Sequence, residues 1–173
     1  MIRTLLLSVF VMLSFAVCRK EDSRPGFDFQ IRQDFIIPAG IGVFQVHHFY
    51  LRNIPTRMTQ LLEQRALKPE DLTGILTNQG ALTGIFGDAN FDFIDQISVR
   101  VYEEARPTNF LEAAFRQPMP LDPGNEVVLI PTLADLKKFL NADLVSIDVA
   151  LWLRRTTTEE TPVRLDLQFR ATY

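Results

Sequence analysis

The sequence is poor in the residues that cross-link small exported domains or bind metals. It has one cysteine in 173 residues, which excludes an internal disulfide, and two histidines, so a four-ligand zinc site would also need carboxylates. Basic residues are few, because 18 Lys and Arg stand against 21 Asp and Glu and give a formal net charge of −3. Nucleic acid is therefore not an expected partner, since no basic run is present to bind phosphates.

Catalytic motifs are also missing from the sequence. It contains no G-x-S-x-G, no H-E-x-x-H and no phosphate-binding glycine loop. Adjacent carboxylates such as Glu103-Glu104 and Glu159-Glu160 fall in predicted turns, where solvated charge explains them. A pair of distant carboxylates of the glycosidase type would leave no local signature and stays open. We expect no enzyme activity, no cofactor and no bound metal.

Long apolar runs are absent except at the N-terminus, where 13 of the first 17 residues are apolar. The uninterrupted stretch 5–17 would form a helix of about 20 Å, shorter than the ~30 Å hydrocarbon core of a bilayer. It follows Arg3 and ends at an abrupt charged block, which is the pattern of a secretory signal peptide. We therefore predict a signal peptide over 1–17, a tether over 18–26 and one domain over 27–173.

The only cysteine, Cys18, stands where the apolar segment meets the charged block. The stretch Phe15-Ala16-Val17-Cys18 resembles the lipobox of bacterial lipoproteins, although Phe15 and Val17 depart from its commonest residues. The resemblance implies that Cys18 carries acyl chains such as palmitate, and more than one chain would anchor the protein stably in a membrane. The alternative is that Cys18 simply ends an ordinary signal peptide or a membrane anchor.

The charges that follow Cys18 bear on the location of the protein. Lys20-Glu21-Asp22 resembles the signal that directs lipoproteins of the Bacteroidetes to the outer membrane surface, and a solvated tether would explain it equally well. The residue directly after the cysteine is Arg19, whereas retention in the inner membrane usually requires Asp there. The resemblance implies a bacterial cell envelope protein that is lipid-anchored at the outer membrane, either periplasmic or surface-exposed.

Strict alternation of apolar and polar residues is the main signal in the rest of the chain. It predicts strands with one buried and one solvated face, in the stretches 27–32, 97–102, 145–154 and 163–172. Weaker candidates cover 43–51, 72–76, 81–86, 110–115 and 127–130. We expect an all-β fold, a two-sheet antiparallel β-sandwich of about seven to nine strands with two short helices. The last two strands are neighbours in sequence and are predicted to form a hairpin.

The two predicted helices interrupt the alternation. One lies in 55–64, where Met58, Leu61 and Leu62 have helical spacing after a proline. The other lies in 132–140, with Thr132 as the expected N-cap and Asp135 three residues later. The stretch from 91 to the C-terminus, which includes this second helix, resembles uncharacterised exported β-sandwich proteins of bacteria, a resemblance that implies no activity.

Three residues are candidates for ligand binding. Trp152 alternates with core residues and is expected on the polar face of its strand together with Arg154, where an indole can stack on a sugar ring or contact a partner. Tyr102 lies on the polar face of another predicted strand. The alternative is that a helix or loop covers this face and that Trp152 belongs to a second, minor core.

Two further clusters have weaker signals. Asp88, Asn90 and Asp92 place oxygen ligands at positions 1, 3 and 5, as calcium loops do, but the turn glycine and the closing glutamate are missing. A polar turn explains them better. His47 and His48 are adjacent, so on a strand they point to opposite faces and are expected to be structural.

From the sequence we expect a lipid-anchored protein of the bacterial outer membrane that acts as a non-catalytic binding or assembly module. Its partners would be the membrane and either another envelope protein or a glycan. The first alternative is a glycan-binding or carbohydrate-active surface protein that uses the sheet face around Trp152. The second alternative is a secreted β-sandwich protein without lipid.

Overall fold

The computed structural model describes residues 25–87 and 89–173. The predicted signal peptide, Cys18, most of the tether and Asp88 lie outside the described residues. Within them no helix has the length and apolar character needed to cross a membrane.

The described chain forms eight antiparallel strands and two short helices, so the all-β prediction is confirmed. The helices are α1 (Met58–Glu63) and α2 (Lys137–Leu140). The strands are β1 (Gly26–Ile37), β2 (His47–Pro55), β3 (Gly74–Gly84), β4 (Ile94–Glu103), β5 (Arg106–Arg116), β6 (Glu126–Pro131), β7 (Leu144–Leu153) and β8 (Thr161–Thr172). The two weak candidates at 72–76 and 81–86 are parts of one strand, β3.

The strands lie in the order β1-β8-β3-β6-β5-β4-β7-β2, which is the order of a jelly roll made of two Greek keys. In the described chain, the halves β1-β8-β3-β6 and β5-β4-β7-β2 are joined by the paired residues Ala114 with Pro131 and Phe115 with Ile130, and by a hydrogen bond from the Thr132 N–H to the Ala113 carbonyl. At the other side Phe35 of β1 packs on Phe49 of β2, with ring centroids 5.1 Å apart. The sheet is thus nearly barrel-like and jelly-roll-like, and it is not clearly the two separate sheets that the sequence predicted.

The predicted hairpin of the last two strands is wrong. β7 lies between β4 and β2, whereas β8 lies between β1 and β3, so the segment 154–160 crosses from one half of the sheet to the other. Alternation indicates which face of a strand is buried, but it does not indicate which strand lies beside it. Both strands have the expected apolar side chains in the core.

The helices pack on one end of the sheet. In α1 Met58 and Leu62 are buried, as the spacing predicts. The assignment of Thr132 as the N-cap is wrong, because α2 begins five residues later and Asp135 accepts hydrogen bonds from the backbone N–H groups of Lys137 and Ile75, at 3.0 and 2.9 Å. Asp135 therefore joins the start of α2 to β3.

The connections divide between the two ends of the sheet. The segments 38–46, 85–93, 117–125 and 154–160 lie at one end, which we call the loop end. The helices, the β4–β5 turn and the chain ends lie at the other, the terminal end, where the Tyr173 N–H donates to the Pro25 carbonyl at 3.0 Å. Aromatic stacking of Phe29 on Phe169, with ring centroids 5.2 Å apart, helps to fill the core between β1 and β8.

Candidate functional site

The strongest candidate site is the outward side of β2, β7, β4 and β5, which we call the β4–β7 outer face. Its side chains alternate with core residues and come from all four strands. They include His48, Tyr50, Ser98, Arg100, Tyr102, Phe110, Glu112, Ser146, Asp148 and Trp152. Contrary to the sequence prediction, this face of β7 is largely buried, because β7 is a central strand flanked by large side chains of β2 and β4.

Asp148 is at the centre of this face, and its side chain is only 9% exposed. His48 Nδ1 lies 2.9 and 3.1 Å from its two carboxylate oxygens, and Arg100 Nη1 lies 3.7 Å from one of them. A buried carboxylate needs such partners, because its desolvation cost is large. Two strands that flank β7 thus supply the groups that hold this charge.

Arg100 connects the charged and aromatic parts of the face. Its guanidinium lies over the rings of Phe110 and Trp152, at 4.7 and 5.9 Å from their centroids. Its Nε donates to Ser98 Oγ at 3.1 Å, and Ser98 Oγ donates to Glu112 at 2.6 Å. The arrangement is a cation held between aromatic rings and acids, which suits recognition of a ligand or partner more than proton transfer.

The structure places Trp152 and Arg154 on this side of β7, as predicted, and both are partly buried. Arg154 is already engaged, because its Nη2 donates to the Met119 carbonyl at 3.0 Å and lies 3.7 Å from Asp95. It holds the connection between β5 and β6 against β7. Trp152 keeps part of its indole exposed beside Arg100, so a contact surface remains there.

Tyr102 lies on the same face but away from Trp152. It is paired with Ser146, six residues before Trp152 on β7, which corresponds to about 20 Å along the strand. Tyr102 is 3% exposed, so its hydroxyl is enclosed by the fold. Burial, with Glu104 nearby, raises the pKa of this phenol above its usual value. The three predicted binding residues therefore do not form one site.

A pocket of about 360 Å³ lies at the terminal end, and Tyr102 and Ser146 of the β4–β7 outer face contribute to its lining. Its lining combines charged groups from the β4–β5 turn and α2 with apolar groups at the start of β7. Within it Ser146 Oγ donates to Glu104 at 2.8 Å, and Arg52 lies 3.0 Å from the same carboxylate. The carboxylate of Glu104 is therefore already held by a hydrogen bond and an ion pair.

The residues of the predicted calcium loop have other partners. The Asn90 side chain accepts a hydrogen bond from the Asp92 backbone N–H at 3.1 Å, as a polar turn does. Asp92 forms an ion pair with Arg155. In the described part of the chain no group of three or more His, Cys, Asp or Glu is positioned to hold a metal ion.

The two histidines lie on opposite sides of β2. His47 Nε2 is 2.7 Å from the Gly42 carbonyl and fixes the loop before β2, while His48 contacts Asp148. Sequence reasoning missed the link of His48 with Asp148 and Arg100. Alternation places Arg100 and Asp148 on polar faces and His48 on the same face as Tyr50, but only the register between strands brings the three together.

The comparisons with known proteins identify no family. No protein-family model matches the chain, and no curated protein matches its sequence. Among solved structures, the decameric BFDV capsid protein has 11% identity and a TM-score of 0.34 over 85% of this chain and 99% of that chain. A structure of Desmodium yellow mottle tymovirus has 5% identity and a TM-score of 0.25 over 91% of this chain and 93% of the other. Likenesses this weak carry no argument about function.

Proposed function

We propose that the chain is an exported lipoprotein, attached through Cys18 to the bacterial outer membrane, whose domain is a non-catalytic binding or assembly module. The observation that carries this proposal is the position of the only cysteine, at the end of the apolar N-terminal segment. An exported thiol without a disulfide partner is a reactive liability, and lipidation removes it.

The arrangement of the domain supports the proposal. β1 begins at Gly26, so only a short segment separates Cys18 from the folded chain, and the loop end lies at the opposite end of the strands. In this proposal the domain consists of two facing four-stranded layers, one of which presents the β4–β7 outer face. Cations, acids and aromatic rings on that face suit a binding role.

Metabolic labelling with palmitate tests the anchor. We expect the wild-type protein to be labelled and to sediment with membranes, and Cys18→Ser to lose the label and leave the membrane fraction. An unlabelled wild-type protein in the medium or periplasm would contradict the anchor and favour the secreted alternative.

Glycan binding at the β4–β7 outer face is the second candidate function. The observation that favours it is the partly exposed indole of Trp152 beside Arg100, since aromatic rings with adjacent polar groups stack on sugars. On an array of immobilised glycans, Trp152→Ala is expected to abolish binding and Phe86→Ala, an exposed aromatic at the loop end, to retain it. No binding by the wild-type protein, or equal binding by both variants, would remove this candidate.

A further inference from the structure

The outer edge of β1 is a long, regular strand edge. β1 is the first strand in the sheet order, and it pairs with β8 from Gly26 to Ile37 without a register shift. The Tyr173 N–H donates to the Pro25 carbonyl, so the odd-numbered residues of β1 bond to β8 and the even-numbered ones direct their N–H and C=O groups away from it. Among the described residues no other strand bonds to this edge. Such an edge can accept another strand.

The part of this edge nearest the terminal end is open. β2 approaches β1 near the loop end, where Phe35 packs on Phe49. At the terminal end Arg65, in the connection from β2 to β3, lies over the ring of Phe27 at 4.3 Å. Both contacts involve inward-facing side chains of β1, whereas the outward side chains of residues 28, 30 and 32 are exposed.

The outward charges of β1 are matched by opposite charges on β8. The pairs are Asp28–Arg170 at 3.5 Å, Arg32–Asp166 at 2.6 Å and Asp34–Arg164 at 2.7 Å. The first pair is the longest, and the side chain of Asp28 is 59% exposed. Asp28 is therefore the acid on this edge that has most to gain from a second cation.

We propose that β1 pairs antiparallel with β1 of a second copy of this chain, about a two-fold axis at Gln30. Asp28 then lies opposite the second copy's Arg32, and symmetry repeats this pair across the axis. Both residues are even-numbered and outward-facing, so they share one face of the joined sheet. On the inward face Phe29 lies opposite the second copy's Ile31. Opposite charges and an aromatic beside a β-branched residue are favourable cross-strand pairs, and a two-fold dimer requires a self-complementary edge.

The pairing extends an alternation of charge across four strands. β8 already places Arg170 beside Asp28 and Asp166 beside Arg32. In the dimer one row therefore reads Arg170, Asp28, the second copy's Arg32 and the second copy's Asp166. Each charge in this row has only opposite charges beside it, and the row occurs twice by symmetry.

The charge pattern disfavours the neighbouring registers. An axis at Phe29 places Arg32 opposite a glycine, so its charge has no acid across the new edge. An axis at Ile31 places Asp28 opposite the second copy's Asp34, which brings like charges together twice. An axis at Arg32 places two arginines opposite each other. An axis between residues would put outward side chains opposite inward ones.

An axis at Gln33 also pairs opposite charges, Arg32 with the second copy's Asp34. Both carboxylate oxygens of Asp34 already accept hydrogen bonds from Arg164, at 2.7 and 2.9 Å. β2 packs beside this part of β1, and Asp28 would lie beyond the paired segment. The axis at Gln30 instead supplies a cation to the acid that has the longest ion pair.

The dimer joins two four-stranded halves into one sheet of eight strands, in the order β6-β3-β8-β1-β1-β8-β3-β6. The loop ends of the two copies point in opposite directions, because the paired strands are antiparallel. The β4–β7 outer faces belong to the other halves and take no part in the pairing. The pairing goes beyond the proposed function and does not depend on the lipidation of Cys18.

Disulfide cross-linking in the full chain tests this pairing. At the axis the two Gln30 Cα atoms lie about 5.5 Å apart, which is within the range of a disulfide. We expect Gln30→Cys to give a covalent dimer under mild oxidation in membranes. The matched control is Gln168→Cys, exposed in the same row of β8, whose Cα atoms would be about 15 Å apart in the dimer. Both variants retain Cys18, and the wild-type chain gives the background from that thiol.

Charge reversal in the Gln30→Cys background tests the register. Asp28→Lys places like charges opposite each other twice, so it should lower the cross-linked fraction roughly fivefold, and Arg32→Glu should do the same. The double reversal should restore most of the cross-linking. The matched control is Arg170→Gln, which removes a contact within one copy and should leave the cross-linked fraction unchanged. Protease resistance reports folding, and Asp28→Asn should give a smaller loss if a reversal does not fold.

The proposal is overturned if Gln30→Cys gives no more covalent dimer than Gln168→Cys or the wild-type chain. A Gln30→Cys adduct with a different protein would equally overturn the second copy as the partner. It also fails if Asp28→Lys and Asp28→Asn leave the cross-linked fraction unchanged, or if a folded double reversal does not raise it. Loss of palmitate labelling with cross-linking retained would contradict the proposed anchor alone.

Discussion

Asp148 lies on the face of β7 that alternation predicts to be solvated, yet it is a point of contact between three strands. Its carboxylate is nearly buried, and its partners His48 and Arg100 come from strands on both sides of β7. Because both partners contact the same carboxylate, the loss of Asp148 would affect both of them.

Replacing Asp148 should therefore cost more than replacing an acid that is less buried, such as Asp166. We expect Asp148→Ala to lower the free energy of unfolding by about 1–3 kcal/mol, since it removes the hydrogen-bond partner of His48 and an ion-pair partner of Arg100. Asp166→Ala, which removes an ion pair with the exposed Arg32, should cost about 0–1 kcal/mol. Urea unfolding at pH 7 measures both, and equal losses would show that the Asp148 cluster is no more than surface charge.

The sequence predicted only part of the environment of the three candidate binding residues, Tyr102, Trp152 and Arg154. Alternation assigned the side of the strand correctly for Trp152, because that depends only on the neighbouring residues. The distance of Tyr102 from Trp152 and the engagement of Arg154 depend on strand pairing and on the loop that carries Met119. Their assignment to ligand binding stays a prediction.

At the end of β3, the connection between β5 and β6 and the connection between β3 and β4 approach each other closely. The Gly84 N–H donates to the Asn125 carbonyl at 2.9 Å, and a Cβ built on Gly84 would collide with the Asn125 side chain and with Ala89. The connection between β5 and β6 therefore packs directly against the β3–β4 connection at the loop end.

This close approach predicts a difference between two neighbouring glycines. Gly84→Ala should destabilise the protein by about 1–3 kcal/mol, because the two loops must move apart. Gly87→Ala should be neutral or stabilising by a few tenths of a kcal/mol, because nothing lies within 4 Å of its Cβ position. Thermal unfolding of the two variants compares them, and similar melting temperatures would mean that the loops separate easily.

The position of α1 follows from its local sequence, whereas the start of α2 depends on a contact with a distant strand. α1 forms where the apolar spacing predicts it, with Met58 and Leu62 buried. The start of α2 is set by Asp135, which also holds the first residues of β3. Thr132 satisfies the local capping pattern but instead donates to the Glu112 carbonyl of β5.

For the whole molecule, the approach of the two sheet edges decides between a nearly closed barrel and an open sheet. β1 and β2 are the terminal strands in the strand order, and the packing of Phe35 on Phe49 brings them together. If this contact persists in solution, the core is shielded at the side opposite the β5–β6 junction.

A double-mutant cycle measures this closure. We expect Phe35→Ala and Phe49→Ala to show a coupling energy of about 0.5–1.5 kcal/mol, since their rings are in contact. Phe27 lies near the terminal end of the sheet and Phe49 near the loop end, so this pair should show a coupling of less than about 0.5 kcal/mol. A coupling near zero for the first pair would indicate that the edges separate in solution.

The sequence by itself determined the all-β class, the two short helices and which side chains of β1, β4, β7 and β8 enter the core. These follow from the alternation of side chains along a strand and from helical spacing, and both are local properties of the chain. Only the tertiary structure decided that β7 and β8 lie in different halves and that Asp148 is buried between His48 and Arg100. Strand pairing joins residues that are far apart in sequence, and the side-chain pattern of a strand is the same whichever neighbour it has.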